Sequence, residues 1–332
     1  MPAYGRAVRH DLRMRNLRTD VLGEPFTAET IDLEDDSEGE VVATLVKRAA
    51  ESPTTRAVLY LHGFSDYFFH VHVAELFNEL GYDFYALDLR KYGRSLLPHQ
   101  THGFCTDLSD YYPELDAAHS LITERDGHDC VVIVAHSTGG LIAPLWADAR
   151  RRQGRRMVDG FVLNSPWLDL QGSLLLRTLG TRAIDEIGAW LPYQVIPRTV
   201  TEIYTDNLHA ERQGEWVYDL TLKPATGLPI RAGWLRAIRR GHRLLHRGID
   251  VGAPVLVLAS KRTSFIEEWS DDVASSDIVL DVEQIAGWAH RLGSHVTITR
   301  LEGAIHDVFL SGKDTREEAF EIVRRWLPAV LR

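Results

Sequence analysis

The chain has 332 residues, 45% hydrophobic and 25% charged, which is enough apolar side chain to bury a sizeable core and argues against a disordered protein. A formal net charge of -10 argues against nucleic acid as a partner, because phosphate backbones are bound by concentrated Lys and Arg. No apolar run approaches the roughly 18 residues of a membrane span, no signal-peptide apolar region opens the chain, and two cysteines cannot build a disulfide framework; a cytoplasmic protein with no integral membrane segment is expected.

Near the start, Arg6, Arg9, Arg13, Arg15 and Arg18 read as a solvated basic face. Residues 29 to 48 alternate apolar and polar about an acidic, Gly-containing turn, which predicts a half-buried hairpin. Short apolar runs follow, each closed by turn chemistry: RAVLYLHG (56–63), YDFYALDL (82–89), CVVIVAHS (130–137), VDGFVLNSP (158–166), APVLVLAS (253–260) and HVTITRLEG (295–303). Runs of this length suit strands buried on both faces. Cys130, beside one of them, is expected to be a small buried thiol.

Between the runs, helical spacing predicts helices over 70–80 (Val73, Leu76, Phe77, Leu80), from Thr138 to about Arg152, and over 315–327, the last opened by Thr315 and Glu318 as a capping box. Arg150, Arg151, Arg152, Arg155 and Arg156 read as a solvated face that suits the negative end of the middle helix. This alternation predicts an α/β fold with a mostly parallel central sheet covered by helices on both faces.

About 85 residues separate the run ending at Pro166 from the one starting at Ala253, too long a stretch for a structureless loop. Leu176, Leu179, Ile184, Ile187 and Leu191 fall at helical spacing, prolines stand at 192, 197, 224 and 229, and Trp190, Tyr193, Tyr204, Trp216, Tyr218 and Trp234 are interspersed. A helical cap over 170–248 is expected, inserted after the sixth strand and dividing a core of 1–169 and 249–332. Its aromatics, with Ser65 and Trp167 outside it, are the candidate substrate pocket: Trp190, Trp216 and Trp234.

Residues 135 to 139, Ala-His-Ser-Thr-Gly, fit a strand-to-helix turn that holds Ser137 in strained geometry with its hydroxyl projecting; Ala135 stands where the pattern has its first glycine. A plain serine in a Gly-rich bend is the alternative. The helix that follows points its N-terminus at Ser137, and LHGFSD (61–66) can add the Phe64 N–H to that of Thr138 as an oxyanion hole. A base is needed, and His306 in LEGAIHDVFLS lies just past the last apolar run, although a helix-start pair with Asp307 would also explain it. His70 and His72 invite a metal reading, but no carboxylate or cysteine nearby in sequence completes a site and packing is preferred. The acid belongs between serine and histidine, after APVLVLAS. Glu267, Glu268, Asp271, Asp272, Asp277 and Asp281 all qualify by position; Asp281 is explained as a helix cap, and Asp277 is preferred with Glu267 or Glu268 as rivals.

With those residues in order, the chain resembles α/β-hydrolases of the serine aminopeptidase S33, monoacylglycerol lipase and lysophospholipase-like group. The resemblance runs from about 30 to 330 outside the cap and rests on LHGFSDY (61–67), DLRKYGRS (88–95), AHSTGG (135–140), SSDIVLD (275–281) and GAIHDV (303–308). It implies Ser137 as nucleophile, Asp277 as acid, His306 as base and the N–H groups of Phe64 and Thr138 as oxyanion donors, with no metal or other cofactor. Ala135, Lys91 with Tyr92, and the long connection 261–276 depart from the family pattern. The expected activity is cleavage of a small-molecule or lipid-like carboxylic ester through an acyl-enzyme. The alternatives are an S33 aminopeptidase of the proline iminopeptidase type, with Asp185, Glu186, Glu202 or Asp206 receiving the substrate amine, and a non-catalytic ligand-binding protein on the same fold. Ser137 at the nucleophile position disfavours dehalogenase or epoxide-hydrolase chemistry, which uses an aspartate.

Overall fold

The computed structural model describes residues 14–170, 186–197, 201–266 and 268–331. Nine strands form one sheet: β1 (Met14–Thr19), β2 (Thr27–Asp36), β3 (Gly39–Arg48), β4 (Arg56–Leu61), β5 (Asp83–Asp88), β6 (Cys130–His136), β7 (Gly160–Asn164), β8 (Val255–Ser260) and β9 (Val296–Leu301), in the order β1-β2-β3-β5-β4-β6-β7-β8-β9. The pairings from β5 through β4 to β9 are parallel, and β1, β2 and β3 are antiparallel. The hairpin and the six apolar runs are therefore all strands. β1 was not expected, because its basic residues mask the extended pattern; it makes the insertion before β8 follow the seventh strand of the chain.

Alternation along the parallel strands builds a core on each face. Leu59, Ile133 and Val257 pack with Leu141 and Trp146 on one side, while Tyr60, Val132, Val134 and Leu256 pack with Phe77, Phe84 and Phe320 on the other. The first of these layers includes helix α3 (Gly139–Arg152); the second includes α1 (Val71–Glu79) and α7 (Lys313–Val330). Between them in chain order come α2 (Tyr112–Ser120), α4 (Ile203–Leu208), α5 (Ala232–His246) and α6 (Val282–Ala289). α7 begins two residues before Thr315 with Gly312 as its N-cap, so the expected capping box does not form; the Thr315 hydroxyl donates to Glu302 O instead. No helix among the described residues is long and apolar enough to cross a membrane.

The arginines ending α3 are paired rather than merely solvated: Arg150 with Asp116, Arg151 with Asp250, Arg152 with Asp148, and Arg156 with Asp159. Cys130 is half-buried, not buried as expected, because it is the first residue of the central strand β6; Cys105 is the buried thiol, and burial pushes it up to about 12. Lys91 is buried with its ammonium between Asp36 and Glu38, so the acidic turn of the β2–β3 hairpin and the departure at position 91 are two halves of one ion pair.

Candidate active site

Four loops leave the carboxyl ends of β4, β6, β8 and β9 on the same edge of the sheet, where open α/β sheets place their ligands. The turn after β6 puts Ser137 at φ 50, a left-handed conformation uncommon for a side chain with a Cβ. α3 begins two residues on. Its close approach to β4 requires glycine, since a Cβ on Gly139 would lie 2.5 Å from His62 O and 2.7 Å from Leu61 O. The turn after β4 lies against the serine in the same way: a Cβ on Gly63 would stand 3.0 Å from Ser137 Cβ. Phe64 and Thr138, the two expected oxyanion donors, thus flank Ser137, and both line the cavity above it.

His306 Nε2 lies 3.1 Å from Ser137 Oγ and His306 Nδ1 lies 2.9 Å from Asp277 Oδ2. Asp277 is fully buried, and its other oxygen accepts the Val279 and Leu280 N–H groups at 2.8 and 2.7 Å. Both carboxylate oxygens are therefore acceptors. The His306 proton must sit on Nδ1, leaving Nε2 to accept from the Ser137 hydroxyl.

The long connection after β8 explains how Asp277 reaches this position. Thr263 and Asp277 form an isolated bridge in which Asp277 N donates to Arg262 O and Ser264 N donates to Asp277 O. Residues 264–276 are an excursion that returns the chain to the end of β8. Glu268 and Asp271 are exposed and Asp281 accepts the Glu283 N–H at the start of α6; Glu267 lies outside the described residues, as do Leu176, Leu179, Ile184 and Asp185. Asp307 does take the helix-start role considered for the His306–Asp307 pair, accepting the Phe309 N–H, while His306 turns to Ser137.

Above Ser137 is a cavity of about 650 Å³. Ser65, Trp167 and Trp234 line it, with Leu170, Tyr204, Phe265, Ile266 and Leu280. Phe64 stacks on Trp234 with ring centroids 3.9 Å apart. Trp190 and Trp216 do not line it. Trp190 is 81% exposed, and Trp216 stacks on His72 and donates its N–H to Leu310 O. Ser65 accepts the Leu228 N–H at 3.1 Å and so ties the turn after β4 to the segment before α5.

Sequence reasoning missed a buried polar cluster beside the serine. Asp66 pairs with Lys223 at 2.7 Å, and His70 Nε2 lies 2.9 Å from Asp307 Oδ2. Carboxylates do converge on His70, contrary to the expectation from sequence proximity: donor atoms of Asp66, His70 and Asp307 lie within 4.8 Å of one another. The cation facing Asp66 is the Lys223 ammonium. Burial opposes ionisation of Asp66, and Lys223 overcomes it, holding the carboxyl below its ordinary range. Burial likewise opposes ionisation of Asp307, but the His136 and His70 imidazoles and the Asn164 amide keep it well below that range. His136, next to Ser137, is driven down to about 4 by burial, so it is neutral near pH 7 and becomes a cation facing Asp307 only in acid. The sequence signal for Asp66 was present in LHGFSD, but its partner lies 157 residues away.

Comparison with known proteins adds three findings. The sequence pattern of the family Serine aminopeptidase, S33 matches residues 52–312. No curated protein matches the sequence. Among solved structures, a soluble variant of monoglyceride lipase from Saccharomyces cerevisiae, in complex with a substrate analog, superposes with a TM-score of 0.62 at 13% identity, covering 99% of this chain and 99% of that one. A thermostable carboxyl esterase from Bacillus coagulans gives 0.63 at 14% identity (92% and 99% covered), and the monoacylglycerol lipase of Paleococcus ferrophilus gives 0.60 at 19% (86% and 98% covered). The fold is that of the α/β-hydrolases.

Proposed function

The chain belongs to the serine aminopeptidase S33 family of α/β-hydrolases, and from that premise we propose that it cleaves a carboxylic ester through an acyl-enzyme on Ser137. The observation that carries the proposal is the relay from Asp277 through His306 to Ser137, at 2.9 and 3.1 Å, opening on a largely apolar cavity. Ser137 Oγ attacks the carbonyl carbon as His306 Nε2 takes its proton, and the imidazolium is stabilised by Asp277. The oxyanion is met by the N–H groups of Phe64 and Thr138. His306 then protonates the departing alkoxide, and water repeats the sequence to release the acid. Residues 170–248 act as a cap on a core of 1–169 and 249–332. In support, Thr201, Tyr204, Lys223, Leu228, Ile230 and Trp234 line the cavity.

An ester is favoured over a peptide with a free amino terminus on electrostatic grounds. Such a substrate needs uncompensated negative charge near the serine. Glu202 and Asp206 are both paired with Arg212, Glu186 is exposed, and Asp66, which does line the cavity, has Lys223 as its counter-charge.

The test compares p-nitrophenyl esters of rising acyl length with aminoacyl p-nitroanilides, alongside fluorophosphonate labelling. Ester turnover with an initial burst, and labelling that disappears in Ser137→Ala, is expected. Labelling that persists in Ser137→Ala overturns the nucleophile, preference for the anilides overturns the ester, and ligand binding without a burst would make the protein a sensor.

A further inference from the structure

His306 and Ser137 belong to loops that the sheet alone cannot hold together. Ser137 follows β6 and His306 follows β9, with β7 and β8 between them. At about 4.8 Å per strand the two loops start roughly 14 Å apart. The loop after β9 must therefore reach back across two strand ends, and something on those ends must fix where it stops.

Asn164, the last residue of β7, stands between them and is bonded to both loops. Its backbone faces the serine: β6 and β7 run in parallel register with His136 opposite Asn164, and the Ser137 N–H donates to Asn164 O at 3.0 Å. Its side chain, fully buried, faces the histidine loop. Nδ2 donates to Asp307 Oδ1 at 2.6 Å, and Oδ1 accepts the Val308 N–H at 3.0 Å. These are the two residues directly after His306. The other Asp307 oxygen is held by His70 Nε2 at 2.9 Å, and the next N–H, of Phe309, returns to Asp307 Oδ1 at 3.1 Å.

We infer that Asn164 is a positioning residue that sets the distance between Ser137 and His306; the inference rests on the acyl-enzyme reading above. The chemistry of the position requires a primary amide. One end must accept an N–H and the other must donate to a carboxylate, both at buried residues. An aspartate would face the Asp307 carboxylate with a second acceptor, and an alanine would leave the Val308 N–H and an Asp307 oxygen short of a partner. Either change frees the loop by a fraction of an ångström to an ångström, and a 1 Å misplacement of a reacting group costs about 100-fold in rate.

Two full-length variants test this: Asn164→Ala and Asn164→Asp. Active sites are counted by fluorophosphonate titration, so that losses in folding do not enter the rate. Per titrated site, kcat on a short p-nitrophenyl ester should fall about 100-fold in each variant with KM within about twofold. A kcat per titrated site within about threefold of the parent, whatever the change in melting temperature, overturns the inference. Labelling of Ser137→Ala is run in parallel; its persistence would defeat the acyl-enzyme reading itself, whereas its loss with unaltered Asn164 variants would defeat the positioning role alone.

Discussion

A Cβ on Gly139 would meet two backbone carbonyl oxygens, at 2.5 and 2.7 Å, neither of which can swing aside, whereas one on Gly63 would meet the Ser137 Cβ at 3.0 Å and an imidazole carbon of His136 at 3.1 Å. The first contact fixes how closely α3 approaches β4, and with it the gap between the Ser137 turn and the Phe64 turn. Gly139→Ala should therefore lower ester kcat by on the order of 100-fold, more than Gly63→Ala, in protein that still folds. Equal turnover in parent and Gly139→Ala would show that this gap is not critical. At this scale much was legible in the sequence. The pattern at 135–139 predicts a strained serine, which the structure holds at φ 50, and Ala135, fully buried opposite Leu61 in β4, is small enough for the place of the usual glycine. What could not be read is partnership across the chain: Asp66 with Lys223 and His70 with Asp307 are contacts between distant loops, and no local spacing announces them.

Choosing the acid is a question about an element, since the connection after β8 carries six carboxylates and the sequence ranks them only by position. The bridge between Thr263 and Asp277 sets Asp277 apart from the others, with the Thr263 hydroxyl donating to Leu280 O and accepting the Val282 N–H, so that both sides of the excursion are pinned at its neck. Two aspartates four residues apart then have separate tasks. Asp277→Asn should reduce kcat by on the order of 10⁴-fold, because the amide can hold the wrong imidazole tautomer. Asp281→Ala removes the bond to Glu283 N at the start of α6 and should cost about 1 kcal/mol in urea unfolding while turnover is unchanged. A turnover loss in Asp281→Ala, or none in Asp277→Asn, would reverse the assignment. Thr263→Val should act between these, leaving the Val282 N–H unpaired at about 1–3 kcal/mol and lowering kcat with little change in KM. Strands, being runs of apolar residues, were visible in the sequence; β1 was not, because pairing with β2 rather than an apolar pattern makes it a strand.

Over the whole molecule, five histidines among the described residues resist protonation, and burial is the main reason for each: His136 and His242 are buried, and His72, His102 and His119 are half-buried, with His102 lowered to about 4 and His119 lowered. His72, on α1 facing Phe309 O, is lowered to about 3; His136, beside Ser137, and His242, on α5 facing Trp167 O, are each lowered to about 4. In the unfolded chain each titrates near its ordinary value of 6.5. The unfolded state therefore binds more protons than the folded one between pH 6.5 and about 4, so stability is at its full value above 6.5 and declines as the pH falls through that window. For a fully buried ring a shift of this size corresponds to roughly 3 kcal/mol, a substantial share of the about 5–15 kcal/mol that stabilises an ordinary domain. Paired carboxylates such as Asp66, whose ordinary value is 3.8, are lowered by their partners and withdraw their contribution only at still lower pH. The acid limb from 6.5 to 4 thus belongs to the histidines. Urea midpoints measured at pH 8, 7, 6, 5 and 4.5 should be level between 8 and 7 and drop progressively below, with about four protons taken up on unfolding at the steepest point. His242→Gln should flatten that slope by about a quarter; midpoints unchanged from pH 7 to 5 would mean that the rings are not buried in their neutral form.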